Sequence, residues 1–244
     1  MSISINGPRI VFTIPLLGGI PVTETVVTSW LLLAVVLAVC LLLTRRLERI
    51  PTRRSQQLAE RIVLAIDGMV ESTMGRRNRR FAPYILTLMT FSLLGSLVSL
   101  IGLRPVTADL NVTLTWAAMT FFLVHASGIR AKGLRYFRGF ADPPLMLPLN
   151  LISELATPIS LSFRHFGNLV AGHIITTLVY GALGALTTAI FGITFPLLAV
   201  GLPAFLSVYF DLFSGCIQAY VFCMLTMVFV SSANDVGEAE NISL

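Results

Sequence analysis

Long apolar segments constrain this chain more than any other feature of its sequence. About 20 consecutive apolar residues are enough to cross the hydrocarbon core of a bilayer as a helix. Residues 26–43, 81–103 and 110–129 fit that length, and residues 149–186 and 195–232 exceed it. Because a helix of ~35 residues is longer than a ~30 Å core, it must tilt or extend beyond the membrane. The sequence predicts an all-α, polytopic membrane protein with five transmembrane helices, the last two forming a long, tilted hairpin.

The composition agrees with a membrane location and excludes several other classes. Hydrophobic residues make up 55% of the 244 residues and charged residues only 12%, whereas soluble domains have about a quarter charged. The net charge of +5 does not indicate nucleic-acid binding, because the basic residues stand in short clusters beside apolar runs. The three cysteines lie inside apolar segments without metal-ligand spacing. We therefore expect no nucleic-acid partner, no metal site and no cofactor.

The distribution of basic residues predicts the orientation of the chain in the membrane. Of the 17 basic residues, fourteen fall on one side of the predicted helices, two on the other, and Arg164 within the membrane. Cytoplasmic loops carry an excess of Lys and Arg. This asymmetry predicts an extracytoplasmic arm over residues 1–25 and a cytoplasmic tail over residues 233–244.

Residues 55–73 have a helical pattern of a different kind. Leu58, Ile62, Ile66 and Met69 recur at helical spacing, and charged residues occupy the other positions. This pattern is typical of an amphipathic helix lying along the membrane interface. A cytoplasmic connector helix that packs on a partner explains it equally well.

Arg164 is the first functional candidate, because it stands in the middle of an apolar segment. An arginine there costs roughly 2.5–3.5 kcal/mol on insertion scales, so it normally faces a protein interior or an aqueous cavity. Asn168 follows four residues later and shares its face of a helix. His173 follows nine residues later and points about 180° away. The arginine and this histidine therefore address different neighbours.

Asp211 and Gln218 are the polar candidates of the final segment. In a regular helix they lie on nearly one face, ~10 Å apart. In an antiparallel hairpin, His173 approaches Asp211 while Arg164 lies nearer the level of Gln218. A histidine beside a carboxylate in a wet cleft can exchange protons near neutral pH, whereas an arginine is a fixed positive charge.

Several polar residues also have structural interpretations. Asn168 and Gln218 can act as hydrogen-bonding contacts between helices. Asp109 and Asn111, in the connection before residues 110–129, form either a helix N-cap or part of an aqueous mouth. Glu154 is either an interfacial acid or part of a cytoplasmic exit. His125 is by default a packed or interfacial histidine.

Three motifs resemble subunit a of the F-type ATP synthase: PISLSFRHFGNLVAGH at residues 158–173, PVTADLNVT at 105–113 and IQAYVFCMLT at 217–226. The resemblance implies that Arg164 faces a rotating ring of c subunits, with Asn168 beside it and Gln218 close to it. It also implies that His173 and Asp211 form the titratable pair of an outer half-channel.

Two positions depart from the family pattern. The residue after the arginine is usually leucine and here is His165, whose role the sequence leaves open between packing, titration and contact with the ring. An aspartate, Asp211, stands where family members carry a longer titratable side chain. Contact with His173 would then be direct or through a bridging water.

The implied function is that of a non-catalytic stator subunit with two offset half-channels. Protons would reach the c-subunit carboxylates past Asp109, His173 and Asp211, and leave past Arg164 toward Glu154. The expected partners are the c ring, peripheral-stalk b-type subunits and the lipid bilayer, most simply that of a bacterial plasma membrane. A self-contained channel or secondary transporter is the alternative, and Na⁺ coupling in place of H⁺ stays open.

Overall fold

The computed structural model describes residues 10–15, 20–45, 47–49, 53–101, 103–133, 135–136, 145, 147–192 and 208–234. Five of its helices are long and apolar enough to cross a membrane, which confirms the predicted polytopic helical fold. Along the chain the elements are β1 (Ile10–Ile14), β2 (Ile20–Thr23), α1 (Glu24–Thr44), α2 (Arg54–Met74), α3 (Ala82–Leu97), α4 (Leu110–Lys132), α5 (Leu147–Phe191) and α6 (Gly215–Asn234). Short 3₁₀ turns cover Arg76–Phe81, Val98–Ile101 and Val106–Ala108, and a π-helical segment covers Val208–Ser214.

The amino-terminal arm departs from an all-α fold, because β1 and β2 pair as antiparallel strands. The register places Ile10 opposite Thr23 and Phe12 opposite Val22. Both strands are rich in β-branched and aromatic residues, which fit a pleated surface better than a helix. The sequence predicted only an extracytoplasmic arm over residues 1–25, without strands.

Helix α1 is apolar on all sides, and the protein covers little of its surface. Only Thr25, Thr28 and Leu32 are buried along its 21 residues, while Leu41 and Leu42 are 61% and 67% exposed. A helix with an apolar surface all round that is not covered by protein must be covered by lipid. The boundaries predicted for this crossing, 26–43, differ from α1 by two residues at one end and one at the other.

Helix α2 has the predicted amphipathic character, and the two halves of its apolar stripe differ in burial. Ile66, Val70 and Met74 belong to a buried core cluster. Leu58 and Ile62, earlier on the same helix, are 53% and 43% exposed. The carboxyl-terminal half therefore packs within the chain, while the amino-terminal half presents the apolar surface that either an interfacial helix or a contact with a partner needs.

The described helices contribute to two compact units. One comprises Met1–Leu37, Phe91–Val112 and Arg164–Ala219, and the other comprises Ala38–Thr90, Thr113–Phe163 and Tyr220–Leu244. In the first unit Leu32, Val98 and Val106 form a small buried cluster. In the second, residues of α2, α3, α4 and α6 form a larger core around Phe222, Cys223 and Met227.

Helix α5 is longer than the segment 149–186 that the sequence predicts, since it runs for 45 residues. At 1.5 Å per residue it is about 67 Å long, so it must tilt or project beyond a ~30 Å core. The final segment, predicted over 195–232, is described only from residue 208, and the connection at 193–207 lies outside the described residues. The hairpin therefore stays a prediction.

The boundary and geometry of the final segment need two corrections. Helix α6 continues to Asn234, so the first two residues assigned to the tail 233–244 are helical, and residues 235–244 lie outside the described part. Asp211 lies in the π-helical segment, whose turns hold more residues than α-helical turns. The placement of Asp211 and Gln218 on one face assumed regular α-helical geometry and is wrong for this backbone.

The first residue of α6 marks a close approach to α3. A Cβ on Gly215 would lie 2.9 Å from Cβ of Ser96, a separation that real side chains avoid. We expect Gly215→Ala to lower the free energy of unfolding by about 1–3 kcal/mol, because the helices must move apart. The measurement is thermal unfolding of the purified chain in detergent.

Gly68→Ala is the matched control for this substitution. Gly68 lies exposed on α2, and a Cβ there meets nothing within 4 Å. Alanine in a helix interior is more favourable than glycine by roughly 0.5–1 kcal/mol, so this variant should gain stability. Equal melting temperatures for Gly215→Ala and the parent chain would contradict the close-approach interpretation.

Candidate functional site

Arg164 is exposed on the surface of α5, and none of the described side chains forms a hydrogen bond or ion pair with it. The sequence analysis expected a protein interior or an aqueous cavity around it. An unpaired guanidinium facing hydrocarbon is costly. The exposed position therefore requires water or an anionic partner beyond the side chains that the structure describes.

The surface around Arg164 is lined by small residues. Ser160 and Ala171 are exposed one turn before and two turns after it, on the same face. Gly167 also lies on this side, and a Cβ there would meet nothing within 4 Å. Small residues let a second helix approach closely in a membrane. We call the surface formed by Ser160, Arg164, Gly167 and Ala171 the Arg164 face.

His165 points the opposite way into the chain. Its side chain is 0% exposed, and Nε2 lies 3.3 Å from Oγ of Ser92 on α3. Successive residues of a helix differ by about 100° in direction, so Arg164 can face outward while its neighbour is buried. Of the three roles left open for His165, the structure supports packing.

Ser92 belongs to a buried polar seam that the sequence analysis missed. Ser96 Oγ donates a hydrogen bond to the backbone oxygen of Ser92 at 3.0 Å and lies 3.3 Å from Oγ1 of Thr107. All three side chains are fully buried. The seam leads from His165 to the turn before α4. Serine and threonine are common in membrane helices, and only their meeting in space makes them notable.

Asn168 and Gln218 have different surroundings. Nδ2 of Asn168 donates a hydrogen bond to Oγ of Ser214 at 2.5 Å, a contact between two helices of the kind expected for membrane amides. Gln218 is 6% exposed, and its Nε2 has no hydrogen-bond partner among the described residues. A buried polar group left unpaired costs about 1–3 kcal/mol. No described hydrogen bond joins Gln218 to Arg164.

The pairing of His173 with Asp211 stays a prediction. The backbone of His173 belongs to α5 and that of Asp211 to the π-helical segment. Both side chains lie outside the described part of the structure. π-helical turns occur frequently at functional sites, so the position of Asp211 in one is a structural reason to test it.

Asp109 and Asn111 form a local cap at the start of α4. Oδ1 of Asp109 accepts a hydrogen bond from the backbone N–H of Asn111 at 3.0 Å. The backbone oxygen of Asp109 accepts from the N–H of Val112 at 3.1 Å. This is the helix-cap arrangement considered from the sequence. A capping carboxylate can also face water, so a role in an aqueous mouth stays a prediction.

Glu154 lines a cavity of about 280 Å³ in the second unit. Lys132, Tyr136, Thr157 and Leu161 also line this cavity. Oε1 of Glu154 lies 3.7 Å from Nδ1 of His125. We call this space the Glu154 cavity. The link to His125 was missed because the sequence places the two residues 29 positions apart, on helices whose pairing it does not specify.

Tyr136 lines the Glu154 cavity and lies next to His125. Its Oη lies 3.3 Å from Nδ1 of His125. Burial, and to a lesser extent the carboxylate of Glu154, raise the pKa of Tyr136 above its usual value of 10.0. The phenol therefore keeps its proton at neutral pH and is available as a hydrogen-bond donor.

No metal centre is formed by the residues that the structure describes. Within the described ranges, no group of three or more His, Cys, Asp or Glu side chains could hold an ion. Cys40, Cys216 and Cys223 are all free thiols. The chemistry available to the described side chains is therefore that of fixed charge, hydrogen bonding and proton exchange.

Comparison with known proteins adds sequence similarity over nearly the whole chain. A family model described as ATP synthase A chain matches residues 26–231. The chain is 33% identical to ATP synthase subunit a, sodium ion specific, of Propionigenium modestum, over 97% of this chain and 87% of that protein. It is 36% identical to ATP synthase subunit a of Moorella thermoacetica, over 88% and 93%. It is 37% identical to ATP synthase subunit a 2 of Syntrophotalea carbinolica, over 86% and 85%.

The contact between His165 and Ser92 can be tested by a double-mutant cycle. His165→Leu replaces the imidazole with an apolar side chain of similar size and removes the hydrogen bond. Ser92→Ala removes the hydroxyl on the other side of that bond. Hydrogen bonds between membrane helices contribute about 0.6 kcal/mol on average. We therefore expect the double variant to be more stable than the sum of the single effects by roughly that amount. Unfolding in detergent measures it, and strictly additive effects would contradict the contact.

Proposed function

This chain belongs to the ATP synthase A chain family, and we propose that it is the static subunit through which ions reach and leave a rotating c ring. The observation that carries this proposal is the position of Arg164. The guanidinium is exposed within an apolar span and has no partner among the described side chains. A c-subunit carboxylate passing that surface would supply the missing counter-charge.

The electrostatic logic of the proposal follows from the cost of charge in hydrocarbon. An ionised carboxylate in lipid is prohibitively costly, whereas a protonated one is tolerated. Opposite the guanidinium of Arg164, the ionised form is stabilised by a charge-assisted hydrogen bond. Arg164 itself keeps its proton, because arginine is not deprotonated in proteins. A ring carboxylate would therefore release its proton on reaching Arg164 and regain one before returning to lipid.

The two half-channels are assigned from separate sets of residues. On the outer side we place Asp109 and Asn111 at the mouth, and His173 with Asp211 as the titratable pair. On the inner side Glu154 lines a cavity with polar walls, which supports the exit assigned to it. Asn168 and Gln218 lie on α5 and α6 within the same unit as Arg164, and we place them beside the passing carboxylate.

The remaining assignments concern partners and orientation. The Arg164 face, with its small residues, would take the c ring. Peripheral-stalk b-type subunits and lipid would cover other exposed surfaces of the helices. The excess of basic residues on one side supports a bacterial plasma membrane orientation with the amino terminus outside and the carboxyl terminus in the cytoplasm.

A self-contained channel or secondary transporter is the rival function, and the purified complex distinguishes the two. Co-isolation of this chain with an oligomeric c ring is expected under the proposal. Solute flux through vesicles that contain this chain alone would favour the rival.

Arg164→Ala is the direct test of the proposed function. The variant should lose ATP synthesis in sealed vesicles, because nothing then separates the two half-channels electrostatically, and passive proton leak should rise. The matched control is Arg61→Ala, which removes an exposed arginine from α2 and should leave synthesis unchanged. Full synthesis by Arg164→Ala would exclude the proposed role.

The coupling ion is tested by varying sodium at fixed pH. We propose protons, because histidine and aspartate are titratable groups suited to proton transfer. ATP synthesis by the complete complex should then be insensitive to sodium between trace and millimolar concentrations. Synthesis that rises with sodium and saturates would assign Na⁺ as the ion and overturn the proton assignment, while leaving the stator role of the chain intact.

A further inference from the structure

His125 lies in a cluster with a carboxylate, a phenol and a second aromatic ring. Its Nδ1 lies 3.7 Å from Oε1 of Glu154 on α5 and 3.3 Å from Oη of Tyr136. Its ring lies against that of Phe121, on the same helix, at a centroid distance of 4.0 Å and an interplanar angle of 49°. Two other segments of the chain, α5 and the residues after α4, therefore contact one imidazole of α4.

The cluster borders the Glu154 cavity. Glu154 and Tyr136 both line that cavity, and so does Lys132, which lies seven residues after His125 on α4. A cavity of about 280 Å³ has room for several water molecules, and its polar lining residues, Thr120, Lys132, Tyr136, Glu154, Thr157 and Ser232, can supply the partners they need. The side chains of His125 and Glu154 are 23% and 30% exposed. Both groups are thus held in place without being sealed from water.

The cavity follows α5 within the second unit. Glu154, Thr157, Pro158 and Leu161 occupy successive turns of that helix and line one side of the cavity. The wall of the cavity therefore runs along α5 from Leu161 to the carboxylate of Glu154.

We infer that His125 and Glu154 form the proton-exchange pair of the inner half-channel, with His125 as the group that passes protons to water on the cytoplasmic side. This inference rests on the proposed function, since it takes the proton from a ring carboxylate released opposite Arg164. It adds a residue that family resemblance did not indicate.

The proton transfer is balanced at each step. A proton arriving through cavity water binds Oε1 of Glu154, and that O–H bond breaks as an N–H bond forms at Nδ1 of His125. The imidazolium then loses its Nε2 proton to water on the inner side. Proton exchange with cavity water moves the remaining ring proton from Nδ1 back to Nε2, so that Nδ1 can accept the next proton. A separation of 3.7 Å is longer than a hydrogen bond, so one cavity water relays the proton or the side chains close by a few tenths of an ångström.

The other charged and titratable groups at the cavity fit this direction of transfer. Oη of Tyr136 can donate to Nδ1 of neutral His125, which leaves the ring proton on Nε2. That hydrogen bond breaks when Nδ1 takes the proton from Glu154, and the hydroxyl of Tyr136 then turns to another acceptor. Lys132 lines the same cavity. From α6, the described lining residues are Phe229, Ser232 and Ala233, none of which titrates.

The test uses the complete ATP synthase complex reconstituted in vesicles, with ATP synthesis and ATP-driven proton pumping as readouts. His125→Gln keeps a hydrogen-bonding side chain but does not titrate, and Glu154→Gln removes the carboxylate charge with the same shape. We expect each to lower both rates at least ~10-fold, as loss of a proton-transfer group does. Arg130→Gln, an exposed change on α4, is the matched control and should leave them unchanged.

A second arm separates proton exchange from a structural role. His125→Ala creates space for imidazole, and added imidazole should restore the rate several-fold with a pH profile that follows the added base. Co-purification of the c ring establishes that each variant assembles. Rates of His125→Gln equal to the parent's, or no response of His125→Ala to imidazole, would overturn the inference. Because Arg164→Ala is measured in parallel, synthesis by that variant would instead mark failure of the proposed function.

Discussion

The cost of an unpaired charge in hydrocarbon is the constraint on which the arrangement of this chain depends. Arg164 lies in an apolar span, is exposed, and has no partner among the described side chains, so the described part of the chain leaves this charge without a counter-charge. Its neighbour His165 is fully buried against Ser92. That contact and the bond from Asn168 to Ser214 restrict rotation of α5 about its axis. One buried and one partly buried hydrogen bond thus hold α5 in the rotation that directs the guanidinium outward.

Most of the fold could be predicted from the sequence, because a helix that crosses a bilayer must be about 20 residues long and largely apolar. The first three apolar segments and the amphipathic helix α2 were predicted within a few residues, since each leaves a pattern within its own sequence. Helix α5 extends beyond its predicted bounds, and the predicted start of the final segment lies outside the described residues. The strand pair at the amino terminus and the π-helical segment around Asp211 were not predicted. The strands are only five and four residues long, and a π-helical turn differs from an α-helical turn in its hydrogen bonding rather than in its composition.

The candidate site was predictable in part for the same reason. An arginine in an apolar run is conspicuous, and Arg164, Asn168 and Glu154 were all identified before the fold was known. The seam of Ser92, Ser96 and Thr107 was not, because each hydroxyl alone is an ordinary residue of a membrane helix. His125 was noticed and assigned a packing role. The position of Glu154 beside it is the observation that supports proton exchange by His125.

The continuity of α5 has a consequence for how such a chain can vary. Glu154 and Arg164 belong to the same helix, with Pro158 between them and no loop. Because proline has no N–H, one backbone hydrogen bond of this stretch, to the carbonyl of Glu154, is missing. Inserting a single residue between them would turn everything beyond it by about 100° and advance it by 1.5 Å. His165 would then leave Ser92, and Arg164 would leave its face. Between these two residues, substitutions can accumulate, but changes in length are excluded.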